Sequence, residues 1–187
     1  MLNWFSSGRT PIVDYSVRVP FASNVKLKNV NGPIEVRETR GKVRVNNVDG
    51  SAILEELEGD VRAETVNGAL HIVQIDGAAD LKTVNGQVDL EKGHLTKLSA
   101  QTVNGNVTVT AEFSGAQYTF NTVNGNVKLH TPADLRASVS AHGVNLHVDC
   151  AQPAQSVRRQ FGNWQGVIGP EQSGEPKEEP VPKQRED

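Results

Sequence analysis

The sequence predicts an all-β chain: a β-solenoid, parallel β-helix-like, with coils of about 18 to 20 residues, two short strands per coil and capped ends. Three observations predict it. The first is a four-residue unit, Thr65-Val66-Asn67-Gly68, which returns at Thr83-Val84-Asn85-Gly86, Thr102-Val103-Asn104-Gly105 and Thr122-Val123-Asn124-Gly125. Looser copies are Asn29-Val30-Asn31-Gly32 and Asn47-Val48-Asp49-Gly50, and the glycines of all six are spaced by 18, 18, 18, 19 and 20 residues. The second is a weaker turn between them, at Arg40-Gly41, Glu58-Gly59, Asp76-Gly77 and Ser114-Gly115. The third is the pattern after each glycine. Apolar residues stand at the second, fourth and seventh places, as Val43, Val45 and Val48 after Gly41, or Leu70, Ile72 and Ile75 after Gly68.

The second and fourth places alternate with polar ones, the period of a strand with one buried face. The seventh sits just before the turn, where it is expected to plug the corner. Asn-Gly and Asp-Gly are expected to supply the positive-φ residues of that corner. An antiparallel meander of hairpins is the competing arrangement, because Asn-Gly is also a hairpin signal. A meander gives no reason for every second turn to match. A solenoid does: residues one coil apart stack directly. Asn31, Asn67, Asn85, Asn104 and Asn124 then form a structural turn ladder with Asp49 in its gap, and Thr65, Thr83, Thr102 and Thr122 form another.

The elements follow in order. Residues 1–13 form an N-terminal extension, and 14–169 the solenoid domain with its terminal caps. Asp14 to Pro20 and Asn24 to Val30 alternate and are expected as the first strands and N-terminal cap. Residues 32–90 carry the most regular coils. Lys92 to Leu98 and Ala111 to Gly115 insert a residue or two as longer corners, with Tyr118 and Phe120 filling a wider coil. Pro132 breaks a strand, and Leu135, Ala137 and Val139 resume the alternation. Val144, Leu146, Val148 and Cys150 make the last clear strand. Gln155 to Gly169 is apolar and irregular and is expected as the C-terminal cap, with Phe161 and Trp164 over the last coil. Residues 170–187 hold six acidic and three basic residues and no apolar pattern, and are expected to be disordered.

Aromatics make up 5% of the chain, so the core is aliphatic. A net charge of −3 argues against a general nucleic-acid surface. The single Cys excludes an intrachain disulfide framework. No apolar run is long enough to span a membrane. No signal peptide is recognised in Met1 to Tyr15, so the cytoplasm is the default compartment, with the cell envelope as the alternative if the start is misassigned.

Catalytic, cofactor and metal motifs are not found, and no enzymatic activity or cofactor is expected. His142, His147 and Cys150 are close in sequence, but Cys150 continues the inward register of Val148 while His147 points outward, so they should not converge on a zinc ion. One glycine per unit and no recurring aspartate exclude a calcium β-roll. Outward charges one coil apart, Lys42 beside Asp60 and Glu64 beside Lys82, are expected to pair. The candidate contact surface is an outward cluster of Ile53, His71 and Val73, continued by Thr108 and Thr110.

The Thr-Val-Asn-Gly-x-Val units at Thr102 to Val107 and Thr122 to Val127, with the closing segment Phe161 to Gly169, resemble a bacterial family of β-strand-repeat proteins of unknown function, often labelled adhesin. The resemblance covers about residues 14–169. It implies a β-solenoid with an interaction or envelope-related role and no known active site. The partner is expected to be a macromolecule, a protein or a cell-envelope component. The coil size and Pro-rich tail are also similar to the bactofilins, so self-association into a scaffold is the second expectation. A carbohydrate-binding or carbohydrate-active β-helix is the third.

Overall fold

A computed structural model describes residues 16–115, 117–130, 137–143, 145–150, 154–160 and 163–168, with side chains described in 16–115, 117–130, 138–143 and 163–166. Among the described residues twelve strands form one sheet that winds into stacked parallel coils. They are β1 (Val25–Lys28), β2 (Ile34–Arg40), β3 (Val43–Asn46), β4 (Ala52–Glu64), β5 (Leu70–Lys82) and β6 (Val88–Asn104), followed by β7 (Val107–Phe113), β8 (Gln117–His130), β9 (Ala137–His142), β10 (Asn145–Cys150), β11 (Ala154–Gln160) and β12 (Asn163–Ile168). The expected solenoid is the observed fold.

Each coil has two sides. The first side follows the Asn-Gly corner and the second follows the weaker corner. Register shows the repeat directly: Val36 pairs with Leu54, Leu54 with Ile72, Ile72 with Leu90, Leu90 with Val109 and Val109 with Leu129. All are buried. On the second side, Ala63, Leu81, Ala100, Phe120 and Ala141 stack, alternating small and large. That alternation lets a thin core fill at native density with few aromatic residues. Each buried Leu or Ile contributes about 1.5–3 kcal/mol.

The weaker corner divides β2 from β3 and β7 from β8, but not the strands of the middle coils. β4 and β5 run through it with pairing intact, Glu58 to Asp76 and Gly59 to Gly77. In four successive coils the bend carries a residue in the left-handed region: Glu38 (φ 54), Glu56 (φ 53), Gln74 (φ 61) and Lys92 (φ 63). The expectation that Asn-Gly and Asp-Gly supply the positive-φ residues of the corner holds at Gly32 (φ 112) and Gly50 (φ 137) and fails at Gly68, Gly86, Gly105 and Gly125. None of the ladder asparagines has positive φ among the described residues. The glycines of the later Asn-Gly corners serve close stacking instead. A Cβ on Gly105 would run into the carbonyl oxygen of Gly86, one coil earlier.

The left-handed residue also decides what plugs the corner. After Glu56 and Gln74 the chain turns Leu57 and Ile75 inward, where they are buried. The Asn-Gly corner lacks such a residue, and its valine faces out. The expectation that the seventh place fills every corner therefore holds for Leu57 and Ile75 and fails for Val48 and Val66.

The repeat lengthens where expected. Ala78 pairs with Lys97 just after Gly77 pairs with Leu95, leaving Thr96 as the extra residue. The wider corner is filled by Phe113 stacked on Tyr118 at 4.1 Å. The Tyr118 hydroxyl accepts from the Gly115 N–H at 2.6 Å and donates to the Leu95 carbonyl at 2.9 Å.

The ends differ from the sequence reading. Ser16 to Pro20 is not a strand, and Val17 and Val19 are exposed. Counting back one 18-residue coil from β2 places Ser16 and Arg18, not the valines, at the inward places of Ile34 and Val36. A one-residue phase error turns an alternating segment inside out, so this stretch does not extend the sheet. At the other end, the segment expected to be irregular is a hairpin: β11 pairs antiparallel with β12, and β12 antiparallel with β9. Trp164 is buried within it, and a Cβ on Gly166 would meet the Trp164 ring at 2.8 Å. The side chains of His147, Val148, Cys150 and Phe161, the extension 1–13, Pro132 and the acidic tail 170–187 lie outside the described residues.

Candidate functional site

The Asn-Gly corner is built from three side chains with separate tasks. Thr83 is buried, and its Oγ1 donates to the Gly68 carbonyl one coil earlier at 3.0 Å. Thr65, Thr102 and Thr122 repeat this bond to Gly50, Gly86 and Gly105. Asn47 stands at the same place in its coil and donates to the carbonyls of Gly32 and Gly50. The threonines therefore tie coil to coil through backbone, not to one another.

The third residue, asparagine, forms the amide ladder. Nδ2 of Asn67 donates to Asp49 Oδ1 at 2.7 Å, Asn85 to Asn67 at 2.9 Å, Asn104 to Asn85 at 2.9 Å and Asn124 to Asn104 at 3.0 Å. Beneath it the backbone runs in the same direction, with the Asn85 N–H donating to the Val66 carbonyl at 2.8 Å. Asn31 pairs with Asp49 through backbone.

The valine between them projects into solvent. Val48, Val66, Val84 and Val103 are each 39% exposed, Val123 40% and Val30 62%. Apart from Val17, Val19 and Phe21 near the first coil, these are the only exposed large apolar side chains among the described residues. They form one ridge along the solenoid with a repeat of ~4.8 Å. The asparagine ladder borders it on one side. On the other, across a shallow groove, stand the outward side chains of Lys28, Asn46, Glu64 and Lys82.

The opposite corner is charged. Arg40 pairs with Glu58 at 2.6 Å and also lies 4.5 Å from the centre of the Phe21 ring. The His94 imidazole bridges two carboxylates, Asp76 at 3.0 Å and Glu112 at 2.8 Å. The hydrogen bond to Asp76, then the charge of Glu112, raises its pKa above 6.5. A cleft beside this triad is edged by Lys92, Thr110 and His130.

A family model, Toastrack DUF4097, matches residues 14–171, nearly all of the solenoid. The chain belongs to the Toastrack DUF4097 family. No curated protein and no solved structure matches it. Toastrack DUF4097 is a domain of unknown function with β-solenoid architecture, so the chemistry must come from the side chains themselves.

The residues singled out in this Toastrack domain fall in three places. The ladder asparagines converge on one edge, as described. Ile53, His71 and Thr108 share one outward row of the first side, and Val73 and Thr110 the next. The five do not form one patch, because Asp89 stands between His71 and Thr108 and Glu91 between Val73 and Thr110. Lys42 reaches Asp60 at 3.6 Å as expected. Glu64 lies beside Lys82, but its carboxylate is taken by Arg62 at 2.6 Å and Asn46 at 2.9 Å, and Lys82 turns to Asp80 at 3.9 Å. Those shorter partners sit on the same or adjoining strand.

Among the described residues no group of His, Cys, Asp and Glu side chains could hold a metal ion. His94 spends one ring nitrogen on each carboxylate and has none left for a ligand. His142 is likewise engaged by Ser140 and Asn163. No helix among the described residues is long and apolar enough to cross a membrane. What the domain does present is a straight, periodic edge of alternating apolar and amide rows.

Proposed function

We propose that this Toastrack domain is a non-catalytic contact scaffold. It offers the valine ridge and its asparagine border to a macromolecular partner, a protein or a component of the cell envelope. The observation that carries this reading is the repetition of an exposed valine in every coil from Val30 to Val123. A β-branched residue suits the extended backbone there, but threonine would serve equally and be better hydrated. Inward places of the same coils vary freely between Ala, Leu and Phe. Scattered surface valines need no explanation; a continuous row does.

The chemistry of the edge fits contact. Asn67, Asn85 and Asn104 each donate and accept along the ladder, so this part of the row is held before any partner arrives. A preorganised surface loses little side-chain entropy on binding. The lone pairs left on the Asn oxygens and the apolar ridge beside them suit a partner surface that is also extended and repetitive.

The test is a triple substitution, Val66→Lys, Val84→Lys and Val103→Lys, in the full chain. These positions are exposed, so the fold should persist by circular dichroism. Cross-linking in cells that express the tagged chain should then show loss of the wild-type adducts. Adducts retained at wild-type level by a folded triple variant would reject the ridge as the contact surface.

A further inference from the structure

We propose that copies of this chain stack side by side, the second side of one copy resting on the first side of the next. The two sides of the solenoid carry opposite charge. On the second side, Lys26, Arg44 and Arg62 stand directly above one another in one outward row. Lys28 flanks that row, as does Lys42, which pairs with Asp60 at 3.6 Å. Like charges placed opposite one another across strands are unfavourable. Arg62 is compensated by Glu64 on its own strand and Asp80 in the next coil, but Lys26, Lys28 and Arg44 have no ion-pair partner among the described residues.

The first side and its adjoining corner are acidic. Asp89 and Glu91 occupy neighbouring outward rows of β6. Glu38 and Glu56 occupy the same left-handed place in successive coils. The cationic exceptions are Arg37, neutralised by Glu35 and Glu55, Arg40, paired with Glu58, Lys92 at the fourth left-handed place, and Lys128 at the far end of the side. The acidic segment 170–187 accounts for the whole net charge of −3, so the rest of the chain is neutral overall. Its charge is separated between two faces rather than present in excess, and a protein with little net charge resists association weakly.

The two sides face away from each other across a thin core. Translation along the sheet normal therefore brings a basic face onto an acidic one at the ~10 Å spacing of stacked sheets. The contact is heterologous and does not close, so it generates rows of copies rather than a dimer. All copies in a row share one orientation, which places every valine ridge on the same edge and makes that edge multivalent. Only this last consequence rests on the proposed function; the stacking stands on the charges.

The experiment is sedimentation equilibrium of the full chain over a concentration series, from about 20 mM to about 500 mM salt, a range that shortens the screening length several-fold. The expected result is concentration-dependent association at low salt, weakened at least ~10-fold at high salt. Lys26→Glu with Arg44→Glu should be monomeric at low salt, and so should Asp89→Lys with Glu91→Lys. An equimolar mixture of the two variants should associate again, because each then meets an oppositely charged face. A wild-type chain that stays monomeric at low salt overturns the proposal, whether or not its basic row binds anionic vesicles. Salt-independent association, or a mixture that fails to associate, overturns it as well. The ridge variants test the other reading separately, since they should stack like the wild type.

Discussion

Asn104 donates its side-chain amide to Asn85 Oδ1 across one coil at 2.9 Å, and Asn85 repeats the bond to Asn67 at the same distance. The ladder has a direction, with every N–H pointing toward the N-terminal coils. It ends on Asp49, which accepts from Asn67 and can donate nothing. Asn85→Ala should remove two ladder bonds, stranding the Asn104 amide donor and the Asn67 acceptor, at a cost of about 1–2 kcal/mol in chemical denaturation. Asp49→Asn should be neutral or slightly stabilising, because the new amide is positioned to extend the ladder to Asn31.

Thr39 occupies the corner place that Leu57 and Ile75 fill in the next coils. It is buried, and its hydroxyl has no hydrogen-bond partner. Thr39→Val keeps the shape and removes an unsatisfied group. The expected outcome is a gain of about 1 kcal/mol, measured as a higher denaturation midpoint at unchanged slope.

Gly105 illustrates why the Asn-Gly corner keeps its glycine. Gly105→Ala would drive a methyl group into the Gly86 carbonyl, where only backbone can give way. A loss of about 3 kcal/mol is expected, with raised hydrogen exchange in the coils on either side. Asn106→Ala, one residue on, removes only the acceptor of the Asn126 N–H at 3.0 Å and should cost less, about 0.5–1.5 kcal/mol.

The His94 bridge gives the weaker corner a pH dependence. Asp76 and Glu112 raise the imidazole pKa above 6.5 in the folded chain. A group with a raised folded pKa adds stability that is complete below its unfolded pKa and disappears as pH rises through the folded one. Stability of the wild type should therefore fall as pH rises from below 6.5 through that raised value, whereas in His94→Gln this component should be absent. Titration of the His94 ring by NMR, in wild type and in Asp76→Asn, checks the cause.

The coil and its stacking were legible in the sequence because a strict period places like residues on like. Asn67, Asn85, Asn104 and Asn124 needed only the 18-to-20-residue count to fall into one row. The ridge was not legible in the same way, because Val66 and Leu57 look equivalent when every seventh place is scored as apolar. Their difference lies in backbone conformation: Glu56 takes φ 53 and turns Leu57 inward, and no such residue precedes Val66. One signal was available. A buried polar residue precedes each ridge valine from Val48 to Val123, Asn47 first and then Thr65, Thr83, Thr102 and Thr122, and a polar side chain turned inward puts its neighbour outside. The choice of Arg62 over Lys82 as the partner of Glu64 depended on reach and rotamer, which spacing alone does not carry.

The central claim is that the valine edge, and not the opposite corner, meets the partner. The most direct measurement places a photoreactive side chain at Val84 in one full-length variant and at Lys92, on the far corner, in another, and compares adducts formed in living cells. The account predicts discrete adducts from position 84 and few or none from position 92. Equal labelling from both positions, or labelling from 92 alone, would contradict it.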